Sequence, residues 1–436
     1  MSESRLADRI RNGSARVTVI GQGYVGLPLA VEFARAGFNT TGLDTDLDRV
    51  IALNAGQSYT PDVDSELLKA VIEAGRYEAT SDASTLERSD VVIICVPTPL
   101  RKSKDPDISF VVAAAENVAA HFRPGQLVIL ESTTYPGTTE ELLLPMFEAR
   151  GARIGIDFFL AFSPERIDPA NGKFGLAEIP KVVGGVTAAC SQMAALLYSQ
   201  IIKRVLEVSS PKVAELAKLY ENTFRNVNIA LANEFSLMGR RLGVNIREVI
   251  EAAATKPFGF MPFYPGPGVG GHCIGIDPFY LAWKMRLNGY EFRFLHLADE
   301  INRAMPVYVV ELVAEALNGR RRCLNGASVL VLGVAYKRGV SDIRESPALE
   351  VIAELQHKGA LVSYADPHVP SLDVEGTVLK AVEVTDQRLA AADCVVILTD
   401  HADFDYRQIV DVSRLVVDTR NATWGLQPPA DRVVTL

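Results

Sequence analysis

Residues 16–44 read RVTVIGQGYVGLPLAVEFARAGFNTTGLD, and the order of residue types in this stretch decides the fold. A β-branched run at 17–20 meets three glycines, an apolar-periodic helix follows over about 25–36, Gly37 ends it, and a second strand runs to Asp44. Strand, helix and strand in that order make one βαβ unit, the building block of a parallel sheet covered by helices. Outward along the chain, residues 91–96, 127–130 and 158–162 read as further buried strands, separated by helical or turn sequence. Strands alternating with helices predict a doubly wound α/β domain.

The middle of the chain changes character. Ser210-Pro211 reads as an N-cap followed by proline at the first helical position. Residues 212–243 then carry helical periodicity for about eight turns. Helical sequence resumes after a Gly/Pro-rich loop at 257–275 and continues to about 317. At Ala327 the α/β pattern restarts, with SVLVLG, a helix from Pro347, LVSYAD, DCVVILTD and LVVDTR. SDVVIICVPTP (89–99) and ADCVVILTDH (392–401) look like equivalent strands of two similar domains. The expected fold is therefore α/β, with two Rossmann-like doubly wound parallel-sheet domains joined by a long-helix middle domain. The expected divisions are 1–208, 209–318 and 319–436.

Composition narrows the function classes. The 436 residues carry 53 acidic against 44 basic side chains, a net charge of −9, which gives no footprint for nucleic acid or an anionic membrane surface. The longest apolar runs are strand-sized, far short of the roughly 20 residues that span a bilayer. The first fifteen residues are polar and do not read as a signal peptide. Five scattered cysteines form no C-x-x-C pair, which argues against a disulfide framework and fits a reducing, cytoplasmic setting.

Gly21-Gln22-Gly23-Tyr24-Val25-Gly26 matches G-x-G-x-x-G between a strand and a helix. Gly21 permits the tight turn, Gly23 lets backbone N–H groups approach a pyrophosphate, and Gly26 allows close helix–strand packing. The helix N-terminus offers positive partial charge to the phosphates. Asp44, 18 residues past Gly26, is placed to accept from both ribose hydroxyls and to repel a 2′-phosphate, which favours NAD over NADP. A glycine turn without a ligand is the plain alternative, but strand, helix and carboxylate together point to the cofactor. The C-terminal α/β segment lacks the glycine trio. Lys337 and Arg344 there are either phosphate partners for a second nucleotide or solvated cations on a structural domain.

The loop PFGFMPFYPGPGVGGHCIG (257–275) holds six glycines and four prolines, and long irregular loops in compact domains are usually functional or disordered. Its aromatics, Phe263 and Tyr264 among them, argue against disorder. Cys273 sits among the glycines. A lone cysteine is more often an inert buried side chain, but a thiol beside NAD suggests an oxidation passing through a thiohemiacetal and thioester. Asp277 could orient water or the thiol; equally, Asp277-Pro278 reads as an N-cap and first-turn pair for the following helix. Lys218 and Asn222 are four apart on one helical face and can stabilise an oxyanion, or be ordinary surface residues. Glu165 in FSPERIDP is a loop carboxylate that could serve as general base or cap local structure. The six histidines show no H-x-x-x-H spacing, so no catalytic metal is expected.

Together these segments resemble the nucleotide-sugar 6-dehydrogenases, the UDP-glucose/UDP-hexosamine dehydrogenase family. The motifs that carry the resemblance are GQGYVGLP (21–28), CVPTP (95–99), ESTTYPGTT (131–139), FSPERIDPANG (162–172), KLYENTFRNVNIALANE (218–234), GPGVGGHCIGIDP (266–278) and YKRGVSDIRESPA (336–348), in family order over nearly the whole chain. The resemblance implies a two-step, four-electron oxidation of a sugar C6 alcohol to a carboxylate with two NAD+. Cys273 would attack the aldehyde, Glu165 would assist hydrolysis, Lys218, Asn222 and Asp277 would stabilise oxyanions and manage protons, and Thr133 would position the water. The cofactor would meet Gly21, Gly23, Tyr24, Val25, Gly26, Asp44, Pro97, Thr98, Thr133 and Arg344. The sugar nucleotide would meet Glu165, Arg166, Lys218, Asn222, Phe263, Tyr264, Gly270 and Lys337. A homodimer or larger assembly built on the long helix is expected.

His272 and Ile276 stand where the UDP-glucose enzymes tend to have serine and lysine, and no arginine occurs in 257–275. The forms ENTFRNVNIALANE and GGHCIGIDPFY look like the UDP-N-acetylhexosamine branch, with UDP-N-acetylglucosamine the expected substrate in a polysaccharide pathway. UDP-glucose, UDP-N-acetylmannosamine and UDP-N-acetylgalactosamine stand as alternatives. A non-catalytic NAD-binding redox sensor is the reading from a different class, and a hydroxyacid dehydrogenase, which gives the cysteine loop no task, ranks last.

Overall fold

The computed structural model describes residues 3–60, 62–101, 105–166, 175–426, 429 and 431–436, and not the side chains of Glu3, His272 and Cys273. The chain divides into two compact units, Met1–Glu221 with Phe279–Tyr290, and Asn222–Pro278 with Glu291–Leu436.

The first unit is built on an eight-stranded sheet. Its strands are β1 (Arg16–Ile20), β2 (Asn39–Leu43), β3 (Tyr77–Thr80), β4 (Val91–Ile94), β5 (Gln126–Leu130), β6 (Phe158–Phe162), β7 (Lys181–Gly185) and β8 (Val205–Val208), in spatial order 3-2-1-4-5-6-7-8. Every pair is parallel except β6 against β7. Strand order reverses between β1 and β4, and ligands of open α/β sheets bind at the carboxyl end of such a reversal. Alternation along β1 and β4 feeds two apolar layers. Val17 and Val19 pack with Leu27 and Phe33 on one face, and Val92 and Ile94 with Val111 and Phe147 on the other. Side chains of this size contribute roughly 1.5–3 kcal/mol each when fully buried.

The second unit contains a five-stranded parallel sheet and a hairpin. Its strands are β9 (Ser328–Leu332), β10 (Leu361–Ala365), β11 (Ser371–Val374), β12 (Thr377–Lys380), β13 (Cys394–Ile397), β14 (Val416–Asp418) and β15 (Val433–Thr435). The sheet order is 10-9-13-14-15, with β11 and β12 forming the hairpin. The two sheets repeat one design. Gly21 N–H donates to the Leu43 carbonyl, and Gly333 N–H donates likewise to Ala365. A Cβ on Gly21 would lie 2.5 Å from the Cys95 carbonyl oxygen, and one on Gly333 would lie 2.3 Å from that of Thr399. Strands β4 and β13 hold the same place beside β1 and β9, so the similarity of 89–99 and 392–401 is a structural equivalence.

The long helix spans Pro211–Leu242, and the Ser210 hydroxyl accepts from the Val213 N–H at 3.4 Å, as its N-cap reading expects. Two further helices run over His272–Leu287 and Arg293–Gly319. The first corrects the N-cap reading of Asp277: the helix begins five residues earlier, and Asp277 and Pro278 lie inside it. Proline at 278 supplies no N–H for the Ile274 carbonyl four residues back. The Asn226 side-chain amide donates to that carbonyl instead, at 3.1 Å. A side chain from the long helix thus completes the bond that the proline removes.

Candidate active site

At the reversal in the first sheet, the three glycines of 21–26 each meet a different constraint. Gly21 has φ +86°, a conformation other residues rarely adopt. A Cβ on Gly26 would lie 1.8 Å from the Gly21 carbonyl oxygen, which no side chain permits. A Cβ on Gly23 would meet nothing within 4 Å, so this is the open side from which a ligand can approach the backbone. The helix Gly26–Arg35 has no side-chain cap at Val25; the Leu27 N–H donates to the Gly23 carbonyl at 3.1 Å and Pro28 carries no N–H, so an anion would be met by the turn's backbone and the positive end of the helix. Tyr24 is exposed and Val25 partly so.

Asp44 follows β2 and is 8% exposed. Its carboxylate accepts from the Gln22 N–H at 2.8 Å and the Asp46 N–H at 3.0 Å. Two backbone donors therefore fix its aim beside the turn. Arg49 lies 3.8 Å away. Thr98 is buried and Pro97 exposed after β4. Their segment is tied to the next loop by the Ser132 hydroxyl, which donates to the Val96 carbonyl at 2.9 Å. The residues present thus fit a dinucleotide: an open glycine, a helix N-terminus without a side-chain cap and an anchored carboxylate.

The same unit gathers the residues expected around the reacting carbon. Lys218 donates to the Thr133 hydroxyl at 2.6 Å. Glu215, one turn earlier on the long helix, accepts from the Gly137 and Thr139 N–H groups at 2.5 and 3.0 Å, which ties the loop that follows Thr133 to the same helix. Glu165 follows β6 and is buried. Its Oε1 accepts from the Arg166 N–H at 2.6 Å, while the Arg166 guanidinium forms a bidentate pair with Glu221 at 2.6 and 3.1 Å. Residues 167–172 of the FSPERIDPANG motif lie outside the described residues.

In the second unit, Asp277 is 1% exposed and accepts from the Asn222 amide at 2.7 Å. A carboxylate this deep requires donors, and the long helix supplies one. Cys273 is the second residue of its helix. The loop before it lies against the segment 336–346. Gly271 N–H donates to the Arg344 carbonyl at 3.2 Å, and a Cβ on Gly270 would lie 2.7 Å from the Glu345 carbonyl oxygen. Motifs 70 residues apart (266–278 and 336–348) are thereby adjacent. Arg344 is exposed and paired bidentately with Asp342 at 3.0 and 2.8 Å, and the Lys337 ammonium lies over the Tyr336 ring. Phe263 packs edge-on against Phe224, and the Tyr264 hydroxyl donates to Glu251 at 3.1 Å.

Three features escaped the sequence reading. Lys181 and Glu131 are both buried and both interact around Glu165. Arg420, after β14, is close enough to the glycine loop that a Cβ on Gly266 would lie 2.5 Å from its guanidinium; the arginine ending LVVDTR at a strand's carboxyl end was the available signal. His368, His401 and Asp403 group their side chains in the second unit. There His401 Nδ1 accepts from the Gly339 N–H and Nε2 faces Asp366, both at 3.1 Å, so its two ring nitrogens are already engaged.

Comparison with known proteins agrees over most of the chain. Residues 15–202, 212–304 and 330–424 match the NAD binding, central and UDP binding domains of the UDP-glucose/GDP-mannose dehydrogenase family. The UDP-N-acetyl-D-glucosamine 6-dehydrogenase of Pseudomonas aeruginosa is 39% identical over 82% of this chain and 84% of its own length. The UDP-N-acetyl-D-mannosamine dehydrogenase of Pyrococcus horikoshii is 37% identical over 93% of this chain and 95% of its own. A solved structure of the UDP-D-ManNAc dehydrogenase from that organism superposes with a TM-score of 0.87 at 35% identity, covering 96% of this chain and 98% of the other. The NDP-N-acetyl-D-galactosaminuronic acid dehydrogenase of Methanosarcina mazei superposes with a TM-score of 0.82 at 29% identity, covering 100% and 97%. No helix among the described residues is long and apolar enough to cross a membrane. The chain belongs to the UDP-glucose/GDP-mannose dehydrogenase family and is an NAD-dependent nucleotide-sugar dehydrogenase.

Proposed function

We propose that the protein oxidises the C6 hydroxyl of UDP-N-acetyl-D-glucosamine to the carboxylate, with Cys273 carrying the intermediate, to supply a polysaccharide precursor. The observation that carries this reading is the buried Asp277–Asn222 pair, one turn beyond Cys273 in the same helix, in a chain that also holds the dinucleotide turn. The balance is one alcohol, two NAD+ and one water giving one carboxylate, two NADH and three protons.

NAD+ held at the Gly21–Gly26 turn and Asp44 would supply the hydride acceptor for each oxidation. The chain's own residues do the rest. Lys218 and Asn222 donate to the oxygen as negative charge develops on it. Cys273 is the second residue of its helix, a position that favours a thiolate, and its sulfur bonds to the aldehyde carbon to give a thiohemiacetal. Loss of the second hydride leaves the thioester. Water then adds to the acyl carbon while Glu165 takes its proton, the C–S bond breaks, and Cys273 leaves as thiolate. Asp277, buried and fixed by Asn222, exchanges the thiol proton. Burial pushes the Cys95 thiol up and that of Cys394 to about 12, so neither competes as a nucleophile.

UDP-sugar contacts fall to Lys337, Gly270, Phe263, Tyr264 and Arg166, and Arg344 approaches the cofactor. The acetylglucosamine assignment draws on the Pseudomonas aeruginosa relative and on the GGHCIGIDPFY loop. UDP-N-acetyl-D-mannosamine is the second reading, favoured by the Pyrococcus horikoshii protein at similar identity over more of the chain. Leu216, Tyr220, Phe224, Leu231 and Phe235 recur on the long helix as exposed apolar side chains, which supports a homodimer. Replacing Cys273 by Ala tests the mechanism: acid formation is expected to vanish while NAD+ still binds, and undiminished turnover to the acid sinks the thioester route.

A further inference from the structure

Glu165 shares its surroundings with two other ionisable side chains. Glu131 follows β5, Glu165 follows β6 and Lys181 opens β7, so three neighbouring strands deliver them to one place. Their side chains are 0%, 8% and 5% exposed respectively. The Lys181 ammonium is 3.0 Å from Glu131 Oε2 and 3.5 Å from Glu165 Oε2. The Tyr198 hydroxyl donates to the other Glu131 oxygen, and the ammonium lies over the Tyr198 ring at 5.1 Å. Cys95, which follows β4, the Arg166 N–H and the Ser163 hydroxyl also belong to the surroundings of the cluster.

Two carboxylates and one ammonium leave a net charge of −1 in a place almost closed to water. Buried ion sets of this kind contribute little to stability, because apolar side chains of the same volume do as well or better. We infer that Lys181 is a positioning residue for the Glu165 carboxylate, and that Glu131 competes with Glu165 for the same ammonium. The inference rests on the reading of Glu165 as the base of thioester hydrolysis.

Two consequences follow from the geometry. The ammonium holds Glu165 Oε2 while the Arg166 N–H holds Oε1, so the carboxylate plane is fixed before substrate arrives. Glu131 sets how much of the cation Glu165 receives. Burial pushes the Glu131 carboxyl up, against the pull of Lys181 and with the push of Glu165. Burial alone would lower Lys181, but the two carboxylates outweigh it and keep the ammonium charged.

The test is the pH profile of the hydrolytic half-reaction, followed by rapid quench in the full-length enzyme with NAD+ and the UDP-sugar. Glu165→Gln comes first: it is expected to remove the acid limb with a large loss of rate, and persistence of that limb would refute the base assignment itself. With that established, Lys181→Met is expected to move the acid limb up by about one pH unit or more, because the carboxylate loses its cation. Lys181→Arg should return it toward the parent position. Glu131→Gln keeps an acceptor for Tyr198 and gives Glu165 the whole cation, so the limb should move down. Opposite movements from neighbouring substitutions are not what a merely structural role produces. A limb that stays put, or moves the same way in both, overturns the inference, and if Lys181→Met does not fold, Glu131→Gln alone decides it.

Discussion

Replacing Asp44 by Asn separates the charge of this side chain from its shape. The carboxylate accepts from two backbone N–H groups at 2.8 and 3.0 Å, which fixes it beside the glycine turn, where the proposed reading puts the NAD+ ribose. Like unit charges about 5 Å apart repel by roughly 3 kcal/mol at an effective dielectric of about 20, the scale taken for a 2′-phosphate on that ribose. Removing that repulsion is worth about 10²-fold for NADP+. The same change takes a charged acceptor from the ribose hydroxyls of NAD+, a loss of about 1.5–3 kcal/mol, or some 10- to 10²-fold. The NADP+/NAD+ ratio of kcat/KM should therefore rise by at least about 10³-fold. Initial rates with each cofactor at saturating UDP-sugar measure the ratio. A change below about tenfold would mean that Asp44 does not meet the ribose.

Other expectations concern the second unit. Asn222→Leu leaves Asp277 without the donor at 2.7 Å; kcat should fall about 10- to 10²-fold with KM for NAD+ unchanged. Asn226→Leu orphans the Ile274 carbonyl, at a cost of about 1–3 kcal/mol. Hydrogen exchange should quicken in the first two turns of His272–Leu287 and not in the long helix. Burial works to raise the Asp366 carboxyl, but His401 and the Val334 and His368 N–H groups outweigh it and hold it below the usual carboxylate range. A lowered folded-state value stabilises above the unfolded Asp value near about 4 and loses that contribution as pH falls through the lowered value. Melting temperature followed from pH 7 to pH 2.5 should thus drop below about pH 4, and less steeply in Asp366→Asn.

The first sheet was legible because its strands are short apolar runs and its turn is a glycine trio with three separate steric demands. Strands Tyr77–Thr80, Lys181–Gly185 and Val205–Val208 were not read from the sequence. The last, VLEV, keeps two side chains exposed and carries no buried-strand pattern. The N-cap reading of Asp277 failed for a physical reason: proline usually marks a helix start, and the Asn226 side chain, 48 positions before the Ile274 carbonyl it bonds, supplies the hydrogen bond an interior proline removes. Glu165 could be picked out as a loop carboxylate. Its cation could not, since Lys181 meets Glu131 across 50 positions through strand order alone. Gly333 and Asp366 lacked the fingerprint that exposed Gly21 and Asp44, although hydrogen bonding makes them equivalent. The difference lies in occupancy: Asp366 already accepts from four backbone N–H groups and faces His401, which leaves it no room for a ribose.

NADH formed per UDP-N-acetylglucosamine consumed can be counted at 340 nm, with UDP-glucose and the C2 and C4 epimers run alongside. A four-electron oxidation of the acetylated sugar predicts two NADH per UDP-N-acetylglucosamine and little from UDP-glucose. One NADH per sugar would contradict it, because the reaction would then stop at the aldehyde and leave Cys273 no part in the chemistry.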